Sequence, residues 1–188
     1  KFVILYGTIF CIGLLGSLTF ARLENFVPFA LVIPLAIYQI YCDVSRQSRQ
    51  LLPELTAAMA ISSSSAVIAL AGGWNPLVAY SLWAIFVARL IPSILYVRNR
   101  LRLEKGKEFF LMPVLASHFM AVGAIGMLAG NGLVSKLTLA MFVVLLIRAF
   151  WGLSPFRKKV KAMKIGIWEV IYGTLTVLSV IVGYYFQL

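Results

Sequence analysis

Seven apolar runs, each close to the length that crosses a bilayer, occupy almost the whole of this chain. A spanning helix needs about 20 mainly apolar residues. The runs cover Phe2 to Phe20, Phe26 to Cys42, Pro53 to Ala71, Pro76 to Val97, Phe109 to Ala129, Val134 to Trp151 and Ile165 to Phe186. What lies between them is too short for a water-soluble domain. Hydrophobic residues make up 62% of the 188, well above the share in soluble domains. A segment inside lipid must satisfy its own backbone groups, so it is either a helix or part of a closed barrel. The alternating strands of about 10 residues that build a barrel are missing. The expectation is an all-α, polytopic membrane bundle of about seven transmembrane helices in hairpin pairs, with residues 1–188 forming one transmembrane domain.

The connections between runs alternate in charge. The turns around Arg22, Gly72-Gly73-Trp74-Asn75 and Asn131-Gly132 carry Arg22 and Lys136 only. The other set carries thirteen of the 17 Lys and Arg residues: Lys1, Arg46, Arg49, Arg98, Arg100, Arg102, Lys105, Lys107, Arg157, Lys158, Lys159, Lys161 and Lys164. Short loops rich in Lys and Arg stay in the cytosol. A bacterial inner-membrane protein with residue 1 cytosolic and Leu188 external is therefore expected. Arg46, Arg49, Arg98, Arg100 and Arg102 form a rim for anionic lipid headgroups. The net charge of +11 is thereby accounted for without nucleic acid.

Ionisable groups inside spans are costly, at least about 2.5 to 3.5 kcal/mol each on insertion scales. Glu54, Arg89, His118, Arg148 and Glu169 all fall in the half of the membrane next to the basic loops. At 1.5 Å per residue, Arg89 and His118 lie about 12 to 14 Å deep. These five are the candidate polar cavity, and the pairs expected are Arg89 with Glu54 and Arg148 with Glu169. As a purely structural arrangement they would lock helices together; as a site they would face a ligand. His118, the one histidine, is expected to bond a neighbouring Ser or backbone group, because bis-His haem ligation needs a second. Cys11 and Cys42 suit neither a disulfide nor a metal, and no metal or cofactor is expected. Tyr38, Gln39, Tyr41, Tyr96, Trp151, Trp168 and Tyr172 share the depth of the basic boundary, as interfacial aromatics do. The run Ser62-Ser63-Ser64-Ser65 reads as close helix packing.

A rhythm of about 60 residues is visible. Leu52-Pro53-Glu54-Leu55, Leu111-Met112-Pro113-Val114 and Ile167-Trp168-Glu169-Val170 each follow a basic loop. Ala88-Arg89-Leu90-Ile91-Pro92 and Ile147-Arg148-Ala149-Phe150 each lead into one. A repeated hairpin would set equivalent polar residues around a shared centre.

Leu52-Pro53-Glu54-Leu55, the stretch Arg89 to Arg102 and Lys164-Ile165-Gly166-Ile167-Trp168-Glu169 with Gly173 together resemble the YwiC-like bacterial membrane proteins. The resemblance runs over roughly residues 25 to 188, and its most specific part is Arg89 to Arg102. It implies a Pro-Lys-Glu-His-Gly-Ala-Trp stretch upstream of Lys1, and a first residue other than Met sets the same expectation of preceding chain. The hairpin pattern also looks more weakly like the UbiA-type prenyltransferases, which imply a prenyl diphosphate held through Mg²⁺. Such magnesium sites need clustered carboxylates, and this chain has one aspartate, Asp43. The favoured expectation is a non-catalytic membrane subunit or a lipid-, quinone- or isoprenoid-binding protein associated with other membrane subunits. A UbiA-like lipid-diphosphate transferase using Asp43, Glu54 and Arg89 is one alternative. A small transporter with helices broken at Pro34, Pro92 and Pro113 is the other.

Overall fold

A computed structural model describes residues 2–47 and 50–186. Helix α1 covers Phe2–Phe20, and a 3₁₀ turn at Leu23–Phe26 leads into α2, Val27–Val44. Then follow α3 (Leu51–Ser62), α4 (Ser64–Ala71), α5 (Pro76–Glu104), α6 (Leu111–Gly130), α7 (Lys136–Leu153) and α8 (Ala162–Phe186). Among the described residues, six stretches are long and apolar enough to cross a membrane: Leu23–Val44, Leu51–Ala71 and the four helices α5 to α8. Helix α1, 19 residues of uncharged and mainly apolar sequence, corresponds to the first of the seven expected runs. The all-helical, multi-pass architecture expected from the apolar runs is the one observed.

Local chemistry fixes the ends. Asn75 caps α5 by accepting a hydrogen bond from the Leu77 amide at 2.9 Å, with Pro76 at the first helical position, where its missing N–H costs nothing. Ser135 caps α7 in the same manner, accepting from the Thr138 amide at 3.1 Å. Gly132, at φ 71°, makes the left-handed turn between α6 and α7, a conformation other residues adopt only at a cost. The four-serine run acts differently from the packing stripe expected of it. Each hydroxyl of Ser62, Ser63, Ser64 and Ser65 donates to the carbonyl three residues back. These bonds compete with the helical ladder, and the third span divides at Ser63 into α3 and α4. Trp83 of α5 bridges the break, its Nε1 lying 3.3 Å from the Met59 carbonyl and 3.2 Å from Ser62 Oγ.

The prolines break no span. Pro34 and Pro92 lie inside continuous helices, and Pro113 sits in the first turn of α6, where no intrahelical bond is lost. Helix α5 also runs seven residues past the expected boundary at Val97, so Arg98 to Glu104 is helix and not loop.

Consecutive helices pack as antiparallel neighbours, α2 with α3, α5 with α6, α6 with α7, and α7 with α8. Helix α5 is the hub, touching α3, α4, α6, α7 and, lightly, α8. Two apolar cores sit within α5 to α7, one around Ile85, Ile125 and Phe142 and one around Tyr96, Val114, Ala149 and Leu153. Large side chains such as Ile61, Met120, Ile147 and Val170 face outward. That surface suits lipid, since soluble monomers seldom expose such continuous apolar area. Helix α8 is reversed relative to a soluble helix: its inward stripe is Ile165, Glu169, Tyr172, Thr176, Ser179 and Gly183, and its apolar residues point out. Helix α1 does not pack on the bundle as the others do, and Ile4, Leu5, Tyr6, Ile9 and Phe10 are exposed.

Candidate functional site: a buried arginine–glutamate cluster beside a membrane-facing cleft

Three helices bring one carboxylate between two guanidinium groups. Arg89 on α5 reaches Glu169 on α8, with Nη2 3.3 Å from Oε2, and Arg148 on α7 donates through Nη2 to Glu169 Oε1. Arg89 also donates to Ser93 Oγ one turn along its own helix. The arginine side chains are 7% and 11% exposed and the glutamate 18%, so the charges interact with little screening. Arg148 is held further by two rings, its guanidinium carbon 4.1 Å from the centre of Tyr96 and 4.6 Å from that of Tyr172. Cations over aromatic faces are favoured most where water is excluded. Gly152 lets Tyr96 take this place, because a Cβ there would come within 2.9 Å of two Tyr96 ring carbons.

The expected pair of Arg148 with Glu169 is present. Arg89 instead joins the same carboxylate, and Glu54 pairs with Arg98 at 2.8 Å. The reason is height. Glu54 lies in the first turn of α3, level with the extended end of α5, and Arg98 is nine residues, about 13.5 Å, along the helix from Arg89. The two arginines of the sequence rhyme do converge on one centre. His118 is buried on α6 and donates from Nδ1 to the Val114 carbonyl at 2.8 Å, the backbone bond expected of it.

A cleft of about 600 Å³ opens beside this cluster, between α3, α5 and α8. Glu54, Arg89, Arg98 and Glu169 line it together with Ser93 and Thr176, and its walls are Phe86, Leu90, Ile94, Val97, Leu101, Val170 and Val177. Arg148 and His118 stand behind it. Val170 and Val177 are also exposed on the outer surface of α8, so the cleft opens sideways to lipid. At its inner end the buried Nε of Arg89 has no hydrogen-bond partner among the described residues. Counting Arg148, Arg89 and Arg98 against Glu169 and Glu54 leaves one net positive charge.

The proposed headgroup rim is divided by the structure. Arg46 is exposed just after α2, while Arg49, Lys1 and Leu188 lie outside the described residues. Arg102 is exposed, donates through Nε to the Glu108 carbonyl and lies 5.7 Å over Phe110. Arg100 does not belong to a rim. It is 5% exposed, pairs with Glu104 at 2.8 Å and donates to the carbonyls of Gly152 and Lys158. It therefore ties the extended end of α5 to the α7–α8 connection. Of the boundary aromatics, Tyr96 and Tyr172 enter the site, whereas Tyr41, Trp151 and Trp168 face outward.

Asp43 accepts from Gln39 at 3.1 Å near the end of α2 and does not line the cleft. Among the described residues no three His, Cys, Asp or Glu side chains gather in one place. No curated protein and no solved structure matches the chain, and nothing carries the weaker likeness to UbiA-type enzymes. A family model described as YwiC-like protein matches residues 1–70. The matched part is α1 to α4 and not the Arg89 to Arg102 stretch on which the sequence resemblance leaned most. The chain is a multi-pass helical membrane protein that is similar to the YwiC-like proteins over its first 70 residues.

Proposed function

We propose that this is a non-catalytic, amphiphile-binding protein of the bacterial cytoplasmic membrane, with its basic face and residue 1 toward the cytosol and Leu188 outside. The observation that carries the reading is the sideways-opening cleft, apolar along its walls and ending on Arg89, a buried cation with an unused donor. An acyl or isoprenoid chain matches the walls. A phosphate or quinone oxygen matches the donor, since charge-assisted hydrogen bonds are the strong ones in a water-poor site. The volume falls within the range of small-molecule sites. Glu54 and Glu169, the carboxylates of the cleft, are engaged by arginines, which fits retention of a ligand better than turnover. The outward apolar surface of α1 leaves room for a neighbouring membrane subunit.

Mild purification of the full chain followed by organic extraction and mass spectrometry tests the reading. An anionic phospholipid, isoprenoid lipid or quinone should remain with the parent protein and be lost from Arg89→Gln. Equal retention by both, or no retained amphiphile in the parent, overturns it.

A further inference from the structure

The same two helices carry a second cleft at their other end. It measures about 670 Å³ and lies between α5, α8 and the α6–α7 turn. On α5 it takes Val78, Leu82 and Ile85, and the first cleft begins at the next residue, Phe86. On α8 the first cleft ends at Val177 and the second begins at Val180. Less than one helical turn separates them on either helix, and the divide is apolar: Val180 packs against the core that holds Ile85. Helices α5 and α8 touch only lightly.

Both ends suit an anion. At the far end Lys136 stands with the hydroxyls of Ser135 and Thr138, and among the described residues no carboxylate lines that cleft. At the near end the Arg89 cluster is positive by one charge. Thr176 at the edge of the first cleft and Ser179 between the two give their hydroxyl protons to carbonyls of their own helix, bonds that a side-chain rotation can exchange for a passing acceptor. Along the outside of α8, Val170, Val177 and Ile181 form an exposed apolar edge parallel to this seam. A headgroup moving along the seam would keep its chain in lipid throughout. An unpaired charge at mid-membrane is costly, and Arg89, at the deep end of the first cleft, offsets that cost.

We propose that the α5–α8 seam is a path with two mouths along which the phosphate head of an amphiphile crosses between leaflets, gated by Ile85 and Val180. This rests on the amphiphile-binding reading and adds movement to it. The two sources of a phosphate group, a lipid head and the free ion, are separated by experiment.

The full-length protein is placed in phosphatidylcholine vesicles holding a trace of acyl-labelled fluorescent phosphatidylglycerol, with a soluble dye and inorganic phosphate enclosed. Dithionite is added outside. The parent should expose the inner-leaflet label to reduction faster than protein-free vesicles do, while the enclosed dye stays unreduced and phosphate stays inside. Ile85→Ala with Val180→Ala should speed the reduction severalfold, and Arg89→Gln should abolish it. Ile85→Phe should slow it; if that variant does not fold, the alanine pair still decides. Reduction no faster than in empty vesicles overturns the path, and so does indifference to the alanine pair. In either case, retained lipid in the extraction experiment leaves the binding reading standing, whereas loss of retention fells both. Escape of phosphate without label movement assigns the seam to the free ion and overturns the lipid path; reduction of the enclosed dye reveals a leak and overturns it as well.

Discussion

Glu169 is the single carboxylate on which two buried arginines depend, so the three residues should not be equally replaceable. Glu169→Gln leaves Arg89 and Arg148 facing each other uncompensated, and removing one partner from a buried ion pair costs about 3 to 5 kcal/mol. Arg89→Leu should cost clearly less, because Glu169 keeps Arg148 and Glu54 keeps Arg98. Thermal unfolding in detergent should therefore rank Glu169→Gln well below Arg89→Leu, and equal melting of the two would refute the shared-carboxylate geometry. The Glu54–Arg98 pair is 38% and 36% exposed on its two sides, so Glu54→Gln should shift stability by no more than about 1 kcal/mol. Charged residues inside apolar runs were legible in the sequence as the members of a centre. Their partners were not. Pairing depends on relative helix heights and rotations, and hydropathy reports neither, so the pair of Arg89 with Glu54 expected from the sequence gives way to Glu169, the carboxylate at the depth of Arg89.

At the scale of elements, the extension of α5 beyond Val97 is the feature that hydropathy concealed. A run of alternating Arg and Leu reads as the end of a span, yet Arg100 is buried against the carbonyls of Gly152 and Lys158 and bonded to Glu104. Replacing it by Ala strands those acceptors, and hydrogen bonds to charged groups are worth about 1.5 to 3 kcal/mol each. Arg100→Ala should lower the melting temperature and open the 154–161 connection to limited proteolysis. Arg102→Ala, at an exposed position, should do neither. Gly152→Ala tests the neighbouring contact: overpacking a filled site costs about 1 to 3 kcal/mol, and here the displaced group is Tyr96, one of the two rings that hold Arg148. Unchanged melting for Gly152→Ala would show that Tyr96 has room to yield. The division at Ser63 was equally hidden, since serine in a membrane helix signals close packing as readily as it signals competition for backbone carbonyls.

Over the whole molecule, the spans were readable because lipid leaves a segment few choices, and run length alone then identifies the helices. The proposed orientation rests on the charge asymmetry and is open to direct test. Cysteine placed at Lys105 or Lys159 should resist an impermeant thiol reagent in intact cells, and cysteine at Lys136 should react; labelling at 159 from outside would invert the proposed topology. The placement of Glu169 also has a bearing on how the chain is made. Synthesis runs from the N-terminus, so α5 and α7 leave the ribosome before the acid that neutralises them. Until α8 emerges, Arg89 and Arg148 must wait in the translocon or at its lipid margin with no counter-charge of their own. A nascent chain stalled before residue 162 should therefore remain extractable and be cleared by membrane proteases, while one that includes Glu169 is released into the bilayer. Helix α8 is in this sense the one that licenses α5 and α7 to stay.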